Sequence, residues 1–195
     1  FKRICRMMRG LEKFNKLVEA FETLPTVGKK SALRFAYHVV LGDTFGAMKL
    51  SSAIESAIKS IRQCQKCGSL SEHEICDICL DERRDIHKLC VVESAKDIFV
   101  LEEHKLFDGR YFVFSSLEED VLFKLEAMVK EGVKEIIFAF TPSMASDGLI
   151  LFIEDKLKAY SLIFTKIAQG VPTGVHLENV DMLSLSKALE SRTKV

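Results

Sequence analysis

No run in this chain approaches the roughly 18 uninterrupted apolar residues that a helix needs to cross a bilayer, although 48% of its residues are apolar. The first ten residues, FKRICRMMRG, are basic, but no long apolar stretch and small-residue cleavage site follow them. No secretory signal is read there, and the cytosol is the expected compartment. Also missing are an internal repeat, a low-complexity segment and a glycine-rich phosphate loop of P-loop form. Net charge is absent as well, with 28 Lys/Arg against 28 Asp/Glu. The balance hides an uneven distribution. Residues 1–90 hold 16 basic and 11 acidic side chains, a net of +5, while residues 91–195 hold 12 and 17, a net of −5. A basic front half suits a polyanion. At 195 residues the chain is long enough for one or two small domains with a real core.

What is present is concentrated. Four of six cysteines fall within CQKCGSLSEHEICDIC, residues 64–79, as two C-x-x-C pairs. In a reducing compartment such pairs are more often metal ligands than disulfides. Each C-x-x-C turn lets two thiolates reach one ion, and two turns supply the closed tetrahedral shell of a structural zinc. The expected ligands are Cys64, Cys67, Cys76 and Cys79. A thioredoxin-like redox pair is the competing reading, but neither motif follows a strand in a βαβ pattern. Gly68, Ser69, Ser71, Glu72 and His73 make a tight reversal plausible, with Ser69 taken as exposed and His73 as a solvated loop residue rather than a ligand. Cys90 is read as a buried strand thiol, and Cys5 lies outside the cluster. A closed shell leaves no open position for chemistry, so such a zinc holds a module too small for its own core.

Upstream, LEKFNKLVEAFETL (11–24) puts Leu11, Phe14, Leu17, Val18 and Phe21 on one helical face. Pro25 and Gly28 interrupt it, and apolar spacing resumes at Ala32, Leu33, Phe35, Ala36, Val39 and Val40. The turn has the h-x-h-G-x-x-x-A form of a helix-hairpin-helix, in which a glycine turn at a helix N-terminus offers N–H groups to a DNA phosphate. Lys29, Lys30 and Arg34 follow Gly28, and Lys30 and Arg34 share a helical face. A plain helical hairpin with a solvated basic edge fits the same residues. A third helix is expected over 46–62.

Downstream the pattern changes. CVVE (90–93), RYFVF (110–114), EIIFAF (135–140) and LIFTKIA (162–168) read as short strands. Residues 95–104, 117–132, 147–160 and 180–192 read as helices. This alternation predicts a mainly parallel sheet with helices on both faces. Sites in such sheets form at the carboxyl ends of strands. Glu93 closes the first strand, and Thr141, Ser143 and Asp147 follow the third. Two carboxylates there can hold magnesium; equally, Glu93 and Asp147 can be acids favoured by helix N-termini.

In this order the segments LPTVGKKSALRFAYH, CQKCGSLSEHEICDICLDERRD, CVVES-x-KD, IAQGVPTG and SLSKALESR resemble the RecR family of bacterial recombination mediators, from about Leu11 to Arg192. The resemblance implies an α+β chain in several parts. A helical helix-hairpin-helix region spans 1–62, a four-cysteine zinc finger 63–88, a Toprim-like α/β domain 89–170, and a C-terminal loop and helix 171–195. It implies a non-enzymatic, DNA-binding protein of the bacterial cytoplasm and nucleoid, with no membrane. Such a protein forms homodimer or homotetramer rings and acts with RecO and RecF to help load recombinase on single-stranded DNA. By the same resemblance Gly28, Lys29, Lys30 and Arg34 would touch DNA, and Glu93 and Asp147 would meet a partner. The alternative is a magnesium-dependent Toprim nuclease or primase fragment. The chain departs from the family pattern in three places: Thr26 stands for a glycine, residues 111–120 lack a glycine-rich insertion, and FTPSMASD puts Ala145 and Asp147 where two glutamates are common. The thinner acidic set argues against metal-dependent catalysis.

Overall fold

The computed structural model describes residues 10–105, 107–168, 170–171 and 174–190. Cys5, three residues of the IAQGVPTG segment (Gln169, Pro172 and Thr173) and the end of SLSKALESR (Ser191 and Arg192) lie outside them. The chain divides after Ser60 into two compact units.

The first unit is helical. Helix α1 spans Glu12–Glu22, α2 spans Lys29–Tyr37, a π-helical turn covers His38–Gly42, and α3 spans Thr44–Ser60. Ala32 and Ala36, one turn apart on α2, are fully buried, and their small side chains let α1 approach closely. Phe21 and Phe35 meet edge to face at 5.8 Å, a favourable aromatic geometry. The linking turn runs from Leu24 to Val27, whose N–H donates to the Leu24 carbonyl (3.2 Å). Pro25 supplies the fixed φ that the second position favours, and Thr26 sits at φ 66°. A type II turn demands positive φ at its third position, normally met by glycine. A β-branched residue is strained there by about 1–2 kcal/mol. Thr26→Gly is therefore expected to stabilise the protein by about 0.5–1 kcal/mol, the relief being partly offset by glycine's greater freedom when unfolded. Urea unfolding of both proteins tests this, and a lower midpoint for the glycine variant contradicts it.

The second unit begins with a small module. Strands β1 (Arg62–Gln63) and β2 (Leu70–Ser71) pair antiparallel, and α4 spans Asp77–Leu80. There follow β3 (Asp85–Val92), α5 (Ala95–Glu103), β4 (Gly109–Val113), α6 (Glu119–Lys130), β5 (Glu135–Ala139), α7 (Met144–Leu157), β6 (Ile163–Lys166), a 3-10 turn at Leu177–Asn179 and α8 (Met182–Glu190). The sheet order is β4-β3-β5-β6 and every pairing is parallel. Strands covered on both faces need apolar side chains at successive positions, and Leu89 to Val92 are all buried. Leu89, Val91, Phe112, Ile136 and Phe138 pack with Leu125 and Met128 of α6 and Ile153 of α7. Cys90, Val92, Tyr111 and Val113 pack on the opposite face with Ile98 of α5. Cys90 is buried as the sequence suggested, and burial pushes its thiol up to about 12.

The strand order reverses beside β3: α5 leads from β3 to β4 on one side, while β5 and β6 lie on the other. Ligand crevices of open α/β sheets form at the carboxyl ends of strands at such a reversal. Among the described residues no helix is long and apolar enough to cross a membrane.

Candidate functional site

The two C-x-x-C turns converge. Cys64, Cys67, Cys76 and Cys79 are all buried, and their Sγ atoms lie within 4.8 Å of one another. Cys67 and Cys76 Sγ are 3.5 Å apart. A tetrahedral zinc with Zn–S near 2.3 Å needs sulfurs about 3.8 Å apart, so this cluster fits one ion with small adjustments. Backbone bonds shape each half: Gly68 N donates to Cys64 O (3.0 Å), and Leu80 N to Cys76 O (3.1 Å). Gly68 adopts φ 76°, and a Cβ added there would lie 3.3 Å from Val113 Cβ, so the glycine serves both the turn and the close approach to β4. Cys76 N–H donates to Cys64 Sγ (3.3 Å), a bond that ties the two halves together. His73 is exposed and stands outside the cluster. Ser69, expected to be exposed, is instead 3% exposed. Its carbonyl accepts from Cys64 N (2.7 Å), and this bond draws the residue under the knuckle.

Gly28 is the N-cap of α2, in extended conformation with φ −88° and ψ 170°. Its carbonyl accepts the first helical bond from Ala32 N (2.9 Å), and among the described residues no side chain caps the N–H groups of the first turn. Those amides point out of the helix end with its partial positive charge. Lys29, Lys30 and Arg34 are all exposed on the same short helix.

At the carboxyl edge of the sheet, Glu93 Oε2 accepts from Thr141 N (3.1 Å), tying the end of β3 to the loop after β5. Ser143 caps α7 through a reciprocal pair with Ser146, whose N–H donates to Ser143 Oγ (3.1 Å) while Ser143 N donates to Ser146 Oγ (2.9 Å). Asp147 lies in the first turn of α7, exposed, with Lys166 Nζ at 3.5 Å. The two acids thus have separate partners. Among the described residues, the cysteines are the one group of three or more candidate ligands gathered for a metal.

Comparison with known proteins agrees with this geometry. Residues 14–58 match the RecR helix-hairpin-helix family, and residues 61–81 match the four-cysteine zinc finger domain of RecR. The chain is 61% identical over 190 residues to "Recombination protein RecR" of a Nitratiruptor species, covering 96% of this chain and 100% of that protein. The chain belongs to the RecR family. Proteins of the same name from Campylobacter jejuni subsp. jejuni and Helicobacter pylori are 53% and 50% identical. The first covers 97% of this chain and 100% of itself, the second 95% and 96%.

As in the four-cysteine finger of RecR, the cysteines here are suited to one structural zinc ion. The thiols influence one another strongly. Hydrogen bonds from Cys67 and then Cys79 hold Cys76 well below the usual thiol range, and Cys67, then Cys76 and burial push Cys79 far above it. Four buried sulfurs cannot all ionise at neutral pH unless a cation offsets their charge. Zinc supplies that charge, and the chain's part is to hold four sulfurs at tetrahedral spacing.

The sequence reading did not include the residues that seat this RecR finger on the sheet. Val113 N of the edge strand β4 donates to Cys67 O (2.8 Å). Glu131, at the end of α6, accepts from both Lys66 of the finger (2.6 Å) and Arg110 of β4 (2.8 Å). Arg84 donates to Gly109 O (2.9 Å), pairs with Glu102, and lies over the Tyr111 ring at 5.7 Å. The finger therefore covers the open edge of β4, a row of unpaired amides that would otherwise attract another strand. The cysteines also belong to the same apolar cluster as Leu89, Val91 and Phe112. Arg84 belongs to the segment CQKCGSLSEHEICDICLDERRD; Lys66, Arg110 and Glu131 carry no local signature because their partners are distant in the chain.

Proposed function

We propose that this chain is a non-enzymatic, DNA-binding mediator of recombinational repair, acting with RecO and RecF to help load recombinase on single-stranded DNA. The observation that carries this reading is the uncapped N-terminus of α2 at Gly28 beside three exposed cations, Lys29, Lys30 and Arg34. Free amides and side-chain cations at one helix end suit a phosphate, and such contacts position a protein on nucleic acid without reading sequence. The family resemblance supplies the partners and the homodimer or homotetramer ring. Exposed Phe45, Met48 and Ile58 on α3 support self-association, since large apolar side chains grouped on one helix mark interaction surfaces.

Glu93 and Asp147 serve as a docking edge in this reading. The Toprim-like enzyme alternative is less well supported, because Glu93 is engaged by a backbone amide, Asp147 faces Lys166, and Ala145 offers no ligand. A competent magnesium site calls for several oxygen ligands in near-octahedral arrangement. Asp147→Asn is expected to weaken RecO binding about three- to tenfold, as loss of a rim charge does, with DNA affinity and zinc content unchanged. Titration with purified RecO measures the first, and strand cleavage and synthesis assays with magnesium or manganese measure turnover. Metal-dependent turnover that disappears in Glu93→Gln would overturn the mediator reading in favour of the enzyme.

A further inference from the structure

Among the described residues, helix α7 and strand β6 leave an apolar surface open. α7 carries five consecutive apolar residues, Leu149 to Ile153. A run of that length passes all round a helix, so the sheet cannot cover it, and a helix apolar on every side is normally enclosed. Ile153 and Leu157 enter the core, whereas Leu151 is 66% exposed and Met144 93%. Met144, Asp147 and Leu151 follow one another at helical spacing on the outer side. Between this stripe and β6 lies a groove of ≈ 360 Å³ whose lining includes Phe138, Asp147, Leu151, Glu154 and Phe164.

The wall of the groove opposite α7 is a sheet edge. β6 has β5 as its sole sheet neighbour among the described residues. Ile163 N donates to Lys134 O (2.8 Å) and Ile167 N to Phe138 O (3.0 Å). The odd-numbered positions therefore face β5, and Phe164 and Lys166 direct their backbone groups outward. The other edge, β4, is covered by the zinc finger through Val113 and Cys67. Among the described residues β6 has no such cover, and it presents Ile163, which is 64% exposed.

We propose that an extended segment of a basic protein partner adds a strand to β6, places an apolar side chain in the groove beside Leu151, and sets a Lys or Arg against Asp147 and Glu154. An edge strand beside an apolar groove is the geometry of strand addition, in which main-chain bonds give affinity and the groove gives selectivity. Asp147 and Glu154 outnumber Lys166, the one cation lining the groove, which pairs with Asp147 only at 3.5 Å, and this excess sets the sign of the partner's charge. They also disfavour a second copy of this edge, because symmetric pairing would bring Asp147 and Glu154 towards their own equivalents, in a half of the chain with 17 acidic and 12 basic residues. This inference rests on the docking reading of Asp147 given above.

Proline at position 166 removes one outward N–H and leaves the β5 ladder intact, the placement at which an edge strand tolerates it. Alanine at 166 removes the same side chain but keeps the N–H. With purified RecO as the probe, Lys166→Pro is expected to bind about tenfold or more weakly than Lys166→Ala, with parental native mass, zinc content and circular dichroism. Leu151→Arg, an exposed helix position outside the sheet, tests the groove if the proline variant folds poorly, and is expected to lose affinity to a similar degree. Equal binding by Lys166→Pro, Lys166→Ala and Leu151→Arg overturns strand addition, and leaves the docking reading standing if Asp147→Asn still weakens RecO. If Asp147→Asn also binds as the parent does, both fall. A changed native mass in Lys166→Pro assigns the edge to a second copy of the chain and likewise overturns the proposal.

Discussion

Cys76→Ser is expected to purify with well under one zinc per chain and to lose at least about 3 kcal/mol of stability, the largest effect of any single substitution considered for this protein. Two causes act together. Serine cannot supply a thiolate, so the tetrahedral shell loses a ligand, and structural zinc contributes binding free energy directly to folding. The four cysteines also share a buried cluster with Leu89, Val91, Phe112 and Leu125. A finger that opens therefore disturbs the α/β core and uncovers β4, whose Val113 N–H is paired with Cys67 O. A chelator applied to the parent protein is expected to reproduce the loss. The matched control is His73→Ala, an exposed residue in the same loop, expected to stay within about 0.5 kcal/mol of the parent. Ser69 is unsuitable as a control because it is buried. Metal analysis of freshly purified parent protein returning much less than one equivalent would contradict the assignment, as would a Cys76→Ser protein as stable as His73→Ala.

The second large effect is expected from replacing Lys30 and Arg34 together by alanine. Both are exposed on α2, four residues apart, beside the uncapped amides that follow Gly28. If each neutralises one phosphate, the pair accounts for about two released counterions, and DNA affinity at physiological salt falls by about tenfold or more. The loss is expected to be the same for unrelated DNA sequences, because phosphate contacts carry no direct base information. Neither side chain is buried, so unfolding stability and zinc content are expected to stay near the parental values. An equal loss of stability and affinity would mean that the two cations support the hairpin itself.

How far these features were legible in the sequence depended on how local their causes are. The zinc cluster was readable because its ligands lie within sixteen residues and the C-x-x-C spacing forces each pair together. The alternating apolar strands and helices of 89–168 were readable because strands covered on both faces must be nearly continuous in apolar residues. Boundaries were less legible. β3 runs from Asp85 rather than Cys90, since its first half, DIHK, is polar and partly exposed, and its register against β4 shifts between Asp85 and Leu89. α7 starts at Met144 rather than Asp147, because the Ser143–Ser146 pair caps it without the acidic third residue of the usual signature. The π turn at His38–Gly42 has no recognised local pattern. Thr26 was visible as a departure from glycine, but the reason it matters, a backbone at φ 66°, became visible only in the turn. The triangle of Lys66, Arg110 and Glu131 joins residues up to 65 positions apart and follows from the fold alone.

If the basic end of α2 binds DNA through phosphates, its cations must show in the salt dependence of binding. The slope of log binding constant against log salt, measured for parent and Lys30→Ala/Arg34→Ala on one DNA of fixed length, tests it most directly. A linear fall is expected for the parent, and a slope shallower by about two for the double variant. Identical slopes and affinities for the two proteins would contradict it.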